Sequence, residues 1–162
     1  MNEEKKYTLS QAQTEFAKSA FNSIWGLLEK PVRTSEEDQE MLLAAHASLY
    51  HWRQVGTAVH HQRGSWMLSR VYQALGKPDG ALEWAQRCFQ ISEAHPSEME
   101  DFDLAYAQEA LARSYALDGF EEKALEHYQQ AGKLGERIKD PEDKKIFQQD
   151  FRGGSWHQLP ID

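Results

Sequence analysis

The sequence predicts an all-α fold, a stack of antiparallel helical hairpins with six main helices and a short C-terminal capping helix. Three observations carry that reading. Five prolines (Pro31, Pro78, Pro96, Pro141 and Pro160) all fall between periodic stretches. Proline inside a helix removes a hydrogen bond and clashes with the preceding turn, at a cost of about 3 kcal/mol, so these positions mark boundaries. Between them the apolar residues recur at spacings of three and four, the period of a helix with one buried face. Finally, two stretches 43 residues apart share the string Tyr-x-x-x-Gly-x-x-x-x-Ala-Leu, the signature of a repeated supersecondary unit.

The elements follow in order. The first helix is expected from about Ser10 to Glu29, with Phe16, Ala20, Ile24, Leu27 and Leu28 as its stripe, closed by Lys30-Pro31. A second starts after Thr34 or Ser35, a hydroxyl cap followed by Glu36, Glu37 and Asp38, whose charge suits the positive end of the helix dipole. It carries Met41, Leu42, Ala45, Leu49 and Trp52 and stops near Gly56. The third runs from about Thr57 to Leu75. Gly76-Lys77-Pro78-Asp79-Gly80 then reads as a tight turn before a fourth helix that begins at Ala81 and ends at His95-Pro96. The fifth begins after Ser97 with an acidic start and ends at Asp118-Gly119, and the sixth spans about Phe120 to Ile138. Pro141 opens a short last helix to about Phe151. No alternating segment of strand length occurs between hairpin turns.

Leu68, Tyr72, Gly76 and Ala81 match Leu111, Tyr115, Gly119 and Ala124, and Pro96, Phe102 and Tyr106 reappear 45 residues on as Pro141, Phe147 and Phe151. Each position has a mechanical reason. The glycine ends a helix in a left-handed conformation that other residues adopt only at a cost. The alanine allows two helices to cross closely, and the Leu and Tyr fill the groove between them. This pattern resembles the tetratricopeptide repeat, in the long-helix form of about 42 residues found in kinesin light chains and bacterial peptide-sensing regulators. The resemblance covers Arg63 to Ile138, with an echo to Phe151. It implies a right-handed stack in one domain over residues 1–151: a degenerate N-terminal hairpin (1–56), two matched repeats (57–95 and 97–138) and a cap (141–151), followed by a flexible tail (152–162). Ser65 and Gln108 replace the large residue usual early in the first helix of each repeat, and residues 1–56 carry no repeat signature.

In that family the first helix of each pair lines a concave surface. Projected here, the groove receives Arg63, Trp66, Arg70 and Gln73 from one helix and Tyr106, Glu109 and Arg113 from the other. Both sets follow three-and-four spacing. Guanidinium forks suit carboxylates, and Trp66 and Tyr106 add stacking area, so the expected partner is a protein or peptide with an acidic segment or a free C-terminal carboxylate. The competing reading pairs Arg70 and Arg113 with Glu109, or with carboxylates of the fourth and sixth helices, in a structural network. Carboxylate-clamp members carry asparagine where this chain has Arg70 and Arg113, so chaperone-tail binding is not implied. The tail, with Trp156 and Leu159 beyond two glycines and a terminal carboxylate on Asp162, could enter its own groove, reach a neighbour's, or fray. Self-association through the first helix or the tail is a further reading.

Composition narrows the chemistry. The 162 residues suffice for one domain with a real core, and a net charge of −8 disfavours nucleic acid and anionic membranes. The charged start Met1–Tyr7 precedes no apolar run and no segment is long enough to span a bilayer, so a soluble, cytoplasmic protein is expected. The single cysteine, Cys88, excludes an internal disulfide and reads as a buried, inert thiol. No phosphate loop, nucleophile elbow or metal-ligand spacing is present, and no cofactor or metal is expected. The runner-up is a small hydrolase or nuclease at the junction of the second and third helices, built from His46, Arg53, His60 and His61. Arg53 and His60 loosely resemble the dyad of HEPN-type helical nucleases. Against it, Gly56 lies between them, and His46 and His51 diverge by about 140° on one helix.

Overall fold

A computed structural model describes residues 4–161. Its elements are α1 (Leu9–Leu28), α2 (Ser35–Val55), α3 (Ala58–Ala74), α4 (Pro78–Ala94), α5 (Asp101–Leu117), α6 (Glu121–Glu136) and α7 (Pro141–Arg152), with one 3-10 turn at Pro96–Glu98. No strand occurs among the described residues, and no helix there is long and apolar enough to cross a membrane.

Local chemistry explains the boundaries. Thr8 and Thr34 each accept a hydrogen bond from the backbone N–H three residues on, at 3.2 Å. Gln11 and Glu37 reach back to the backbone N–H of Thr8 and Thr34 at 2.9 Å, so both helices begin with a capping box. At α7, Asp140 accepts from the N–H groups of Glu142 and Asp143 at 3.0 Å, with Pro141 in the first helical position. The start of α4 corrects the expected turn: Pro78, Asp79 and Gly80 form its first turn. Proline there has a preset φ and lacks only an N–H that the helix leaves unbonded. Gly80 serves close approach, since a Cβ would stand 2.4 Å from the Tyr72 ring.

The repeated glycines close both α3 and α5 in the same way. Gly76 (φ +66) donates to the carbonyl of Gln73 at 3.0 Å while Lys77 donates to that of Tyr72 at 2.9 Å. Gly119 (φ +81) donates to Ala116 at 3.1 Å and Phe120 to Tyr115 at 2.9 Å. This is the paired Schellman arrangement. The matched Leu68 and Leu111 are both buried, and the matched Ala81 and Ala124 have no exposure at all.

Each helix packs on the next in sequence, and α5 also meets α3 and α7. Ile24, Met41, Leu49, Met67, Leu68 and Val71 form the core shared by α1, α2 and α3. Surrounded by α3, α4, α6 and α7, α5 carries small residues all round: Ala105, Ala107, Ala110, Ala112 and Ala116 are all buried. Cys88 is fully buried, and burial pushes its thiol pKa far up, which keeps the unreactive protonated form.

The segment after α7 is packed against the rest of the chain. Trp156 and Leu159 are each only 8% exposed and sit on Ala112, Ala116 and Ala124 of α5 and α6. The reading of residues 152–162 as a flexible tail is corrected to that extent, because two large apolar side chains find an apolar seat. The terminal carboxylate of Asp162 lies outside the described residues, as do Met1–Glu3 of the charged start.

Candidate functional site

An aromatic ladder crosses one face of the molecule. Ring centroids are 6.0 Å apart for Trp25 (α1) and Trp66 (α3), 5.3 Å for Trp66 and Tyr106 (α5), and 4.9 Å for Tyr106 and Phe147 (α7). It continues through Phe147–Phe151 and Phe151–Trp156, each at 5.4 Å. Tilted, edge-to-face and, for Phe147–Phe151, stacked contacts of this kind stabilise beyond the area they bury. Beside the ladder lies an apolar cavity of about 250 Å³, bounded by Phe21, Trp25, Trp66, Phe102, Tyr106 and Ile146, with Arg63, Asp103 and Asp150 at its polar edge. The sequence placed Trp66 and Tyr106 on this face. It did not place Phe21, Trp25 or Ile146 there, because the projection covered only the third and fifth helices.

A second, polar cavity of about 270 Å³ adjoins it. Arg70, Gln73, Arg113, Gly154, Ser155 and His157 are among its lining residues, and Asp150 borders both cavities. The phenol of Tyr106 donates to Asp150 Oδ2 at 2.5 Å and ties α5 to α7. Burial, reinforced by Asp150, pushes the Tyr106 pKa far up, so this donor stays protonated.

The three arginines expected in the groove fall into different states. Arg63 forks onto Asp103, with Nε at 2.8 Å from Oδ1 and Nη2 at 3.0 Å from Oδ2, and lies over the Phe102 ring. That hydrogen bonding raises the Arg63 pKa further and leaves its charge neutralised in place. Arg113 is 5% exposed. Its Nε donates to Glu109 Oε1 at 2.8 Å, Nη1 to the carbonyl of Ser155 at 2.8 Å, and Nη2 to those of Asp150 and Gly153, both at 2.9 Å. The guanidinium also stacks over Trp156 at 3.9 Å, and burial lowers its pKa. Glu109, expected in the groove, is corrected to the interior: it is fully buried and lines neither cavity. Arg70 alone of the three has no ion-pair partner among the described residues; it rests over the Trp66 ring at 5.3 Å. Gln73 donates to the hydroxyls of Ser69 and Ser114 at 3.0 and 3.2 Å, cross-linking α3 and α5 beneath the polar cavity.

The four residues of the alternative site do not converge. Arg53 and His61 open on a third cavity between α2, α3 and α4, which neither His46 nor His60 lines. His46 Nε2 meets the Tyr72 hydroxyl at 3.2 Å. His60 stacks on Trp52 at 4.2 Å, and its Nδ1 accepts the Thr57 backbone N–H at 3.0 Å. His61 Nε2–H donates to the Trp52 carbonyl at 3.2 Å. No three His, Cys, Asp or Glu side chains among the described residues are grouped to hold a metal.

Burial depresses the pKa of His46, His60, His127 and His157 below the ordinary imidazole value of about 6.5. The unfolded chain therefore takes up protons first as pH falls. Stability present above about pH 6.5 is lost progressively as pH drops through the lower folded values. Thermal unfolding is expected to show a lower Tm at about pH 5.5 than at about pH 7.5, before carboxylates begin to titrate. A Tm that holds constant or rises over that interval contradicts these burial effects.

No family model, no curated protein and no solved structure matches the chain.

Proposed function

We propose that the chain is a noncatalytic protein- or peptide-binding module of tetratricopeptide type, a right-handed stack of helical hairpins whose first helices present the groove. One observation supports it above the others: an apolar aromatic cavity lies beside Arg70, a guanidinium without a carboxylate partner among the described residues. The glycine closures repeated at Gly76 and Gly119 support the stacked-repeat reading. In this reading a bulky apolar side chain of the peptide enters the aromatic cavity, at about 25 cal/mol per Å² of apolar surface buried. A carboxylate of the same peptide, on a side chain or at the C-terminus, pairs with Arg70. Arg63 and Arg113, already paired with Asp103 and with Glu109 and backbone carbonyls, shape the groove and do not hold the ligand's charge.

The test uses peptides that pair a tryptophan or phenylalanine with a free C-terminal carboxylate, and the same peptides amidated. Hydrogen bonds to a charged group contribute about 1.5–3 kcal/mol, so Arg70→Glu is expected to weaken capture by at least about tenfold. Urea unfolding of that variant should be unchanged. Equal binding by Arg70→Glu, or no binding by any peptide of the set, overturns the reading.

A further inference from the structure

We infer that the third cavity, between α2, α3 and α4, is a binding site for a small organic phosphate monoester carried on an apolar or aromatic stem. The cavity measures about 360 Å³ and lies apart from the aromatic groove, with which it shares no lining residue. Arg53 comes from α2, His61 from α3 and Arg87 from α4, and His95 closes the α4 end. No aspartate or glutamate lines it. That is against the composition of the chain, which has 26 acidic and 18 basic residues. Two guanidiniums and two imidazoles line the cavity while its nearest paired carboxylates, Glu83 and Glu98, stay outside the lining, so its wall offers an anion donors and no acidic side chain.

His61 spends its Nε2–H on the Trp52 carbonyl, so the donors that remain are those of Arg53, Arg87 and His95. Arg53 makes no ion pair among the described residues. Arg87 uses only Nη2, on Glu83 at 2.8 Å at the solvent-exposed rim, and its guanidinium is held over the Trp84 ring at 4.7 Å. His95 engages Glu98 through Nδ1 at 3.1 Å, which leaves Nε2 without a partner there. Two planar forks suit a tetrahedral oxyanion, and a dianion gains more from them than a monoanionic carboxylate does. The volume exceeds what a bare oxyanion needs, and Leu49, Trp84 and Ile91 supply an apolar wall for the stem.

The test titrates the full chain with phenyl phosphate, inorganic phosphate, benzoate and phenol, following backbone amide shifts and binding heat. Phenyl phosphate is expected to bind saturably, to shift amides around Arg53, Ser65 and Arg87, and to bind at least about fivefold tighter than inorganic phosphate or benzoate. Phenol should not bind. Arg53→Ala with Arg87→Ala, both exposed positions, should weaken phenyl phosphate by at least about tenfold with an unchanged melting curve. Arg70→Glu, in the other groove, should leave it unaltered. Absent saturation, shifts scattered over the surface, or undiminished binding by the double variant overturns the site.

Discussion

Replacing Arg113 with alanine is expected to lower the unfolding free energy by about 3–5 kcal/mol, the cost of removing one partner of a buried ion pair. The size follows from what is left behind. Glu109 is completely buried, its Oε1 is held by Arg113, and its Oε2 has no hydrogen-bond partner among the described residues. Without the guanidinium that carboxylate has nothing to offset its desolvation. Three backbone carbonyls also lose their donor, at Asp150, Gly153 and Ser155, and Trp156 loses the cation stacked on its face. In a chain of this size the loss corresponds to a fall in Tm of roughly 10 °C.

Two readouts separate the parts of that effect. Chemical denaturation gives the total. Tryptic cleavage after Arg152 reports release of the C-terminal segment, because the carbonyls on either side of that bond are gripped by Arg113 in the native fold. Cleavage is expected to accelerate well before global unfolding in Arg113→Ala. The double replacement Glu109→Leu with Arg113→Met should recover a large part of the loss, since an apolar pair of similar volume leaves no stranded charge. If Arg113→Ala unfolds at the same denaturant concentration as the parent and its tail stays uncut, the buried pair does not hold the segment in place.

These energetics mark where the sequence stopped being informative. Proline and glycine positions with three-and-four spacing located α1 to α7 to within a few residues, because these signals act within a single element. The glycines at 76 and 119 were legible for the same reason: a left-handed closure is a local demand. Arg63, Arg70 and Arg113 looked alike on a helical stripe, yet their states depend on partners far along the chain. Asp103 reads as a charge at the start of α5, and it does accept the Glu100 N–H at 3.0 Å. It is also the counter-ion of a residue 40 positions away. Glu109 and Arg113 have the i, i+4 spacing of an exposed pair. The signal that they are interior is the run of alanines around all sides of α5, which only a helix covered on every side needs. The segment from Gly153 to Ile161 has no period to read, and its positive φ angles at His157 (51) and Gln158 (64) leave no mark in the sequence pattern. The Pro-Asp-Gly opening of α4 resembled a turn because the same residues suit a turn and a helix's first turn.

Phe147→Ala is expected to cost about 3–5 kcal/mol and, on the proposed reading, to weaken binding of the test peptides together with stability. Phe147 is the largest of the wholly buried side chains and is 1% exposed. It meets Tyr106 edge-on and stacks with Phe151, and it sits directly on Gly135, where a Cβ would stand 2.3 Å from its ring. The absence of a side chain at position 135 is therefore what lets α7 dock on α6. Removing the ring leaves a void between α6 and α7, which then meet through Phe151 against Tyr128, Ala131 and Leu134, and α7 carries Ile146 and Asp150, the wall of the aromatic cavity. Asp150 also anchors both Tyr106 and, through its carbonyl, Arg113. Because α7 is tied to α5 by these polar links as well as by the ring, a single shifted unfolding transition is expected, not a separate melting of α7. Gly135→Ala approaches the same contact from the opposite side, since overpacking by one methyl there is expected to cost about 1–3 kcal/mol. Calorimetry on both variants distinguishes the outcomes. If Phe147→Ala melts within about 1 °C of the parent, or splits into two transitions, α7 is not an integral wall of the groove, and the proposed peptide seat loses one of its four sides.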